Sequence, residues 1–517
     1  MSTDGPLPVT WSPGYLVTLW SNLGWFVAAW GRNPVGCFSE WFSLVILPGG
    51  LENSQSSFSR GHSEMGQGKT TDVQVKEVSV SFEPVQFRAP LKFGGRIVSS
   101  SYLINAEVTV ESHSGKHATG HGSMPVGNVW AWPSATLEPH QTEQLMMAYS
   151  KSVVELFDTY PGYGHPLEIE FQVSTEYEHQ ARRLCESKGV NETIPPLARL
   201  VCASPIDAAV HDAYGRMLKL NSFNTLSKEF CRTDLGEFLD RQFAGEYLDR
   251  YTSREPAPTL PLYHLVGAMD PLTDADVKER PADKLPVTLG EWIKADTLTH
   301  LKIKLAGDQL DWDVNRVLAI EKVAALVQAE RGCTSWFYSC DFNEKCQTSE
   351  YVIEFLNRIR SSSPAAFERI QYIEQPTSRN LDDANAPKMH DVAAIKPVVI
   401  DEALVSYESL LQARELGYSG IALKACKGQT ESLLMAAAAQ KFGMFLCVQD
   451  LTCPGASFLH SCSLAARIPG VAAIEGNARQ YCPAANQKWA KKLPTLFNVK
   501  NGTIDTSRLA GPGLGFQ

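Results

Sequence analysis

The sequence predicts an α/β protein in which a closed eight-stranded barrel follows a smaller α+β domain. From about residue 256 to residue 485, short apolar runs alternate with helix-like stretches, a pattern typical of parallel βαβ units. Charged residues follow several of the apolar runs directly. The charged positions recur 33, 27 and 23 residues apart, counted from Asp341 to Glu374, Asp401 and Lys424. One strand, one helix and two loops need about 30 residues, so each interval fits one unit.

Charged groups at the ends of adjacent parallel strands meet at the mouth of a barrel, where barrel enzymes keep their active sites. In chain order the residues at these positions are Lys302, Lys304, Asp341, Asn343, Glu374, Asp401, Glu402 and Lys424. Three converging carboxylates repel one another unless a cation lies between them. Hard oxygen ligands without nearby His or Cys favour Mg²⁺.

The lysines fit the same site. Lys302 and Lys304 are two residues apart on a strand, so their side chains share one face, and Lys424 would approach from the opposite wall. A metal and a second lysine disfavour the ammonium form, which predicts lowered lysine pKa values suited to general bases. Two such bases can remove and return a proton next to a carboxylate, while the metal and Lys302 stabilise the enolate.

The ordered series Lys-x-Lys, Asp-x-Asn, Glu-Gln-Pro, Asp-Glu and a later Lys resembles the enolase superfamily, specifically its mandelate racemase/muconate lactonizing enzyme family. The resemblance covers roughly residues 72–480 and implies a modified (β/α)7β TIM-like barrel with an N-terminal α+β capping domain. It also implies bound Mg²⁺, with Mn²⁺ as an alternative. By resemblance the metal ligands are Asp341, Glu374 and Asp401, the acid/base residues are Lys304 and Lys424, and Lys302 binds the substrate carboxylate. Asn343, Glu402, Asp450 and Glu475 are expected to contact substrate or to support these residues.

Each motif alone has an ordinary explanation. A Lys-x-Lys pair is usually a solvated strand face, an Asp after a strand is often a helix N-cap, and Glu374 could simply close a strand. Five motifs in order, at unit spacing and with complementary charges, favour a shared site instead.

Several reactions remain open at this point. The lysine pair favours racemisation, epimerisation or cycloisomerisation of a small carboxylate. The alternatives are a syn elimination of the o-succinylbenzoate synthase type and a non-catalytic carboxylate-binding barrel. Metal-assisted hydrolysis usually uses His ligands, which are missing from the pattern. The mandelate racemase-like branch uses a His–Asp dyad near the seventh strand, but here His460 lies ten residues beyond Asp450, which argues against that branch. The sequence Glu475-Gly476-Asn477 stands in place of the Asp-x-Asp of dipeptide epimerases, which puts that activity in doubt.

Composition narrows the class of protein. The chain has 517 residues, 44% of them hydrophobic, and a net charge of −10, so nucleic acid and anionic membranes are unexpected partners. Twelve cysteines without a Cys-x-x-Cys pair predict a reducing, cytoplasmic setting. Cys340 and Cys426 lie near the predicted site but lack the His partner of a cysteine nucleophile. The oligomeric state is left open, with a homo-oligomer as one option.

Four segments are expected. Residues 1–71 are interpreted as an extension, either disordered or a mis-called start, with an interfacial anchor as the alternative. Residues 72–255 form the capping domain, with strands at 73–82, 99–104 and 106–111 and turns at Gly115, Gly120 and Gly122. Residues 256–485 form the barrel, and residues 486–517 form a loop-like tail. Two capping loops, 87–99 with Arg88 and Lys92 and 124–133 with Trp130 and Trp132, are expected to line the pocket or to pack the domain interface.

Overall fold

The computed structural model describes residues 68–93 and 96–516, so nearly all of the predicted N-terminal extension lies outside the described residues. The capping domain begins with an antiparallel sheet of order β1-β2-β3. Its strands are β1 (Val73–Phe93), β2 (Arg96–Ser112) and β3 (His117–Pro125). Its helices are α1 (Asn128–Ala131), α2 (Pro139–Asp158), α3 (Pro166–Val173), α4 (Tyr177–Ser187), α5 (Pro196–Leu218) and α6 (Leu235–Phe238). The expected α+β capping domain is therefore present, and its boundary at residue 255 stays a prediction.

The sheet corrects the predicted strands. The runs at 99–104 and 106–111 form one strand, β2, and the third strand is β3, which contains Gly120 and Gly122. These glycines were expected in turns. They are needed in the strand because α5 crosses it closely: a Cβ on Gly122 would lie 1.9 Å from the Pro205 carbonyl oxygen. Glycine therefore marks a close backbone approach here.

Gly122→Ala should lower the free energy of unfolding by about 1–3 kcal/mol, because the added methyl group must push α5 away from β3. Urea titration followed by circular dichroism measures the change. Gly290→Ala is the matched control, since a Cβ there would meet Val327 at an ordinary 3.7 Å. Equal stability of the Gly122 variant and the wild type would contradict the close packing.

Eight parallel strands form the barrel, and β11 closes it by pairing with β4. They are β4 (Thr259–Val266), β5 (His300–Lys304), β6 (Phe337–Asp341), β7 (Ile370–Glu374), β8 (Val398–Ile400), β9 (Gly420–Leu423), β10 (Phe445–Val448) and β11 (Val471–Glu475). The intervening helices are α7 (Leu289–Asp296), α8 (Leu310–Glu330), α9 (Ser349–Ser362), α10 (Pro364–Arg369), α11 (His390–Ala393), α12 (Tyr407–Glu415), α13 (Gln429–Lys441) and α14 (Ala456–Arg467). The predicted (β/α)7β barrel is confirmed.

The barrel interior is a packed core. Tyr263 and Tyr372 meet edge to face at 5.9 Å between ring centres, and small or branched side chains fill the rest of the layer. This layer comprises Tyr263, Tyr372, Val399, Ala422, Cys447 and Ala473. It closes the barrel from below, so only the mouth is available to a ligand.

The carboxyl-terminal segment differs from the loop predicted beyond Pro483. It forms α15 (Ala478–Tyr481), α16 (Pro483–Lys492), α17 (Pro494–Phe497) and β12 (Thr503–Asp505), and β12 pairs antiparallel with β4. The chain then returns to the capping domain, where the Leu514 backbone N–H donates to Asp212 of α5 at 2.9 Å. Among residues 68–93 and 96–516, no helix has both the length and the apolar character needed to cross a bilayer.

A buried acidic cluster joins the capping domain to the barrel. Asp207 of α5 accepts hydrogen bonds from the backbone N–H and the hydroxyl of Thr430, both at 2.8 Å, and so caps the first turn of α13. Glu170 of α3 and Glu431 of α13 add two further carboxylates, and each has one buried oxygen without a hydrogen-bond partner. Burial and neighbouring negative charge raise the pKa of Glu431 to about 8 and that of Glu170 above its usual range.

Glu431→Gln should weaken the fall in stability between pH 4.5 and pH 8. The wild-type folded state keeps the Glu431 proton up to about pH 8, whereas the unfolded chain loses it near the ordinary pKa of 4.5. The unfolded state therefore binds fewer protons in this window, and stability decreases as pH rises. Melting temperature at each pH measures the slope.

The variant should melt higher than the wild type at pH 8 and nearly equally at pH 4. Asp207, whose pKa is also raised, keeps part of the slope. Glu155→Gln on the exposed face of α2 is the control, with an unchanged slope. An unchanged slope in the Glu431 variant would show that Glu431 titrates normally.

Candidate active site at the mouth of the barrel

Strand register places three candidate residues side by side. Lys304 is the direct partner of Asp341 on the next strand, and Asp341 is the partner of Glu374 on the strand after that. Asp401 follows β8 and Lys424 follows β9 by one residue each. All of these side chains are buried. The structure thus brings every strand-end charge of the prediction to the same end of the barrel.

Lys302 lies at the centre of the carboxylates. Its Nζ is 2.7 Å from Glu374, 3.1 Å from Glu475 and 3.2 Å from Asp341. The same amine donates to Gln449 Oε1 at 2.8 Å, and Gln449 donates through its Nε2 to Glu374 at 2.5 Å. A single ammonium therefore contacts carboxylates from three different strands.

Lys304 occupies one side of this cluster. Its Nζ donates to Asp341 at 2.5 Å and to Asn343 Oδ1 at 3.0 Å. Asn343 in turn donates through Nδ2 to Glu402 at 3.1 Å. The predicted supporting residues Asn343 and Glu402 therefore form a hydrogen-bonded bridge from Lys304 to the opposite wall.

Lys424 lies on that opposite wall. Its Nζ is 2.8 Å from Asp401 Oδ2, and Lys427 approaches the other oxygen of the same carboxylate at 3.3 Å. Both lysines lie near the ring of Trp130, at 4.4 Å and 5.8 Å from its centre. Asp401 is therefore held between two ammonium groups that are covered by an aromatic side chain from the capping domain.

The last two predicted residues, Asp450 and Glu475, lie just past the end of β10 and at the end of β11. Asp450 accepts from the backbone N–H groups of Thr452 and Asn477 at 3.1 Å and 3.2 Å, so it orders the loops after β10 and β11. Glu475 binds Lys302 and also accepts from Asn477 Nδ2 at 3.1 Å. Asp450 thus supports the wall, whereas Glu475 belongs to the charged cluster.

The electrostatics of the lysines differ from the prediction. Burial alone would lower the pKa of Lys302 and of Lys424, but the facing carboxylates, Glu374 for Lys302 and Asp401 for Lys424, offset it and raise both. The predicted lowering is wrong for these two residues, because the attraction of the carboxylates outweighs burial and the repulsion from neighbouring lysines. Lys427 differs from them, because burial lowers its pKa despite the attraction of Asp401.

The carboxylates carry more charge than the lysines neutralise. Six buried carboxylates, Asp341, Glu374, Asp401, Glu402, Asp450 and Glu475, face four buried lysines, Lys302, Lys304, Lys424 and Lys427, which leaves an excess of two. Burial and the charge of Asp401 raise the pKa of Glu402 to about 7, and burial with Glu475 raises that of Asp450 to about 7. Burial and the charge of Asp341 also raise the pKa of Glu374 above its usual range, so protons held by the acids offset part of this excess.

A divalent cation fits this donor set by charge and by ligand type, because the available donors are oxygens of carboxylates. The arrangement is not a preformed metal cage. Within the described ranges, no group of three or more His, Cys, Asp or Glu side chains is placed to hold an ion. Lys302 lies between Asp341 and Glu374, while Asp401 pairs with Lys424. The predicted convergence of the three carboxylates on one point is therefore replaced by lysine pairing.

Some contacts at the mouth were missed by sequence reasoning. Lys427 lies in a 3₁₀ turn, Ala425–Lys427, just past the strand-end position that the pattern searched for. Gln449 follows β10 directly, and the same strand-end rule would have found it had uncharged amides been considered. Arg379, which donates to Glu344 at 2.6 Å and to the Trp130 carbonyl at 3.0 Å, lies in a loop without a distinctive pattern.

The expected capping loop at residues 87–99 is instead the end of β1 and the start of β2, whereas Trp130 of the second expected loop lies on the short helix α1. The side chains expected at the pocket divide in their roles. Trp130 reaches the site, where its Nε1 donates to Glu402 at 3.0 Å, and Lys92 lines the same cavity as Lys304. Trp132 instead donates to Glu192 within the capping domain, and Arg88 pairs with Asp283. One residue of each expected pair therefore faces the mouth. Cys340 and Cys426 are buried, and burial raises the pKa of Cys426 to about 12, which makes it a poor nucleophile.

Comparison with known proteins agrees with this architecture. A family model described as "Enolase C-terminal domain-like" matches residues 287–517. A search of curated proteins found no match.

Solved structures resemble the chain over most of its length. The dipeptide epimerase of Enterococcus faecalis V583, complexed with Mg and L-Leu-L-Tyr, is 15% identical with a TM-score of 0.54, covering 86% of this chain and 99% of its own. The muconate lactonizing enzyme of Pseudomonas fluorescens, with muconolactone, is 16% identical with a TM-score of 0.52, covering 86% and 96%. A Streptomyces coelicolor A3(2) racemase with bound magnesium is 15% identical with a TM-score of 0.52, covering 86% and 97%. The enolase-superfamily fold named by the resemblance is confirmed.

Lys302→Met should lower the free energy of unfolding by roughly 3–5 kcal/mol, because it removes the ammonium that neutralises buried carboxylates of three strands. Denaturant titration at pH 7 measures the loss. Lys294→Met is the control, since the Lys294–Glu330 ion pair is exposed and should contribute little. A Lys302 variant as stable as the control would show that the carboxylates do not depend on this ammonium.

Proposed function

We propose that the protein is an enolase-superfamily enzyme that removes a proton from the carbon next to the carboxylate of a small substrate, forming an enolate. The observation that carries this proposal is the pair of lysines, Lys304 and Lys424, on opposite sides of a cluster of buried carboxylates. Buried charges are costly to keep without use, which favours catalysis over a structural role.

A cavity of about 410 Å³ adjoins this cluster and has the size of a small-molecule site. Lys304 and Asn343 line it together with Phe342, Met269 and Trp312, so it offers polar groups at the cluster and apolar surface away from it. A small carboxylate with an apolar substituent matches this lining. Two structural neighbours contain ligands of this kind, a dipeptide and mandelic acid.

The residues of this chain divide the chemistry between them. Lys304 would act as the general base that takes the α-proton, so that a C–H bond breaks, an N–H bond forms and the electron pair passes towards the carboxylate. Lys302 would orient the substrate carboxylate, and the Lys424 ammonium would add positive charge on the other side. Asp341, Glu374 and Asp401 would hold Mg²⁺, or Mn²⁺ in its place, which when bound supplies further positive charge for the enolate.

The enolate can react in several ways. Reprotonation gives racemisation or epimerisation, ring closure or opening gives cycloisomerisation, and loss of a β-substituent gives elimination. All share the first proton transfer, which is therefore the step to test.

Incubation in D₂O with Mg²⁺ should exchange the α-hydrogen of at least one compound in a panel of N-acyl amino acids, dipeptides and 2-hydroxy acids. Proton NMR measures the loss of the α-signal. Lys304→Ala should slow exchange by about 10²–10⁴-fold, the contribution typical of a positioned general base. Removal of the metal with EDTA should also stop it.

Lys294→Ala serves as the control, because Lys294 is exposed on α7. This variant should exchange the α-hydrogen of the substrate at the wild-type rate. Exchange that persists in Lys304→Ala would refute the assigned role. Saturable binding of a carboxylate without exchange anywhere in the panel would support a carboxylate-binding barrel instead.

A further inference from the structure

Lys304 and Lys424, which the resemblance predicts as the acid/base pair, have unlike surroundings. The Lys424 amine is 2.8 Å from Asp401 and 4.4 Å from the centre of the Trp130 ring. Its remaining polar neighbour is the Asp450 carbonyl at 3.5 Å. A cation over the face of an indole ring is attracted to it, so the contact is favourable as well as close. Trp130 therefore covers the Lys424 amine from the side of the capping domain.

Trp130 is fixed in that position from several sides. Its Nε1 donates to Glu402 at 3.0 Å, and its carbonyl accepts from Arg379 at 3.0 Å. Arg379 is itself held by Glu344 through bonds at 2.8 Å and 2.6 Å. The Trp130 side chain is 5% exposed. These contacts come from loops after three different barrel strands, so the ring is anchored to the barrel itself.

Lys304 has a different environment. It lines the cavity of about 410 Å³, whereas neither Lys424 nor Trp130 is among the described residues that line it. Asn343 and Lys345 bring further polar groups to the same space, and Phe342 and Trp312 bring apolar surface. A substrate placed there presents its α-carbon to Lys304.

We propose that Trp130 makes this active site one-sided: it shields Lys424, so that protons enter and leave the substrate only through Lys304. This inference rests on the proposed function and narrows it. Lys424 then contributes charge and remains an ammonium throughout the cycle. The site would exchange an α-hydrogen with retention of configuration and would not invert the α-carbon.

The inference also selects the class of substrate that can be converted. The Lys304 amine takes the α-proton and becomes an ammonium; the electron pair left on the α-carbon forms a carbon–carbon double bond as the bond from the β-carbon to its oxygen substituent breaks. The departing oxygen takes the proton from Lys304, which can then accept a proton again, and water or an alcohol leaves. One lysine on one face completes this syn elimination. A β-hydroxy or β-alkoxy carboxylate is therefore the fitting substrate class.

The first test follows both enantiomers of an α-substituted carboxylate in D₂O with Mg²⁺, by NMR for exchange and by chiral chromatography for configuration. The wild type should exchange one enantiomer at least ~100-fold faster than the other and should form no inverted product. Trp130→Ala should gain inversion, because Lys424 then faces the substrate. Interconversion of enantiomers by the wild type would overturn the inference while upholding α-proton abstraction.

The second test needs no substrate. Lys304→Cys and Lys424→Cys place a thiol at each position, and alkylation by iodoacetamide is followed by peptide mass spectrometry. The thiol at position 304 should react about 10-fold faster than the thiol at position 424, because thiol reactivity follows access. Combining Lys424→Cys with Trp130→Ala should remove most of that difference. Lys294→Cys gives the rate of an exposed site.

Each outcome of this second test has one meaning. Equal alkylation rates at positions 304 and 424 overturn the shielding. So does an alkylation rate at position 424 that does not change when Trp130→Ala is added. Asymmetric alkylation without α-hydrogen exchange in any substrate upholds the shielding and refutes the proposed function. Trp130→Leu, which keeps apolar volume but lacks the ring face, replaces Trp130→Ala if circular dichroism shows that the alanine variant is unfolded.

Discussion

The neutralisation of buried carboxylates by lysines at the barrel mouth is the constraint on which the rest of this structure depends. Lys302 joins acidic groups from three strands, and Asp401 lies between Lys424 and Lys427. Such clusters tolerate little displacement, because an unpaired buried charge costs several kcal/mol. The parallel register of β5, β6 and β7 supplies the required alignment without any loop having to adapt.

The capping domain completes this electrostatic arrangement. Trp130 covers the lysine pair on one wall, and Asp207 caps the helix that follows the loop carrying Lys424 and Lys427. Gly428, with a φ of 105°, starts that helix, and a Cβ there would meet Asp207 at 3.0 Å. The position of the lysine loop is therefore set by both domains. This division of labour explains why the two walls of the site differ, since only one of them lies beneath Trp130.

Much of this architecture could be predicted because local patterns carry it. Alternating strands and helices predicted the barrel, and the charged residue after each apolar run predicted where the site would lie. What failed depends on contacts between distant segments. Glycine signals a turn as readily as a close helix approach, so Gly120 and Gly122 were misplaced. The pKa of Lys424 depends on which charges fold beside it, and the placement of Lys302 between carboxylates follows from side-chain packing that strand spacing does not determine.

The return of the carboxyl-terminal segment to α5 bears on the way the polypeptide is made. Asp212 is synthesised about three hundred residues before Leu514, its hydrogen-bond partner. The Ser222 backbone N–H likewise donates to the Gly513 carbonyl, which is synthesised almost as much later. The capping domain therefore leaves the ribosome before the segment that α5 contacts has been made. The contacts of α5 with this segment can form only after the barrel has been synthesised, which ties maturation of the capping domain to that of the barrel.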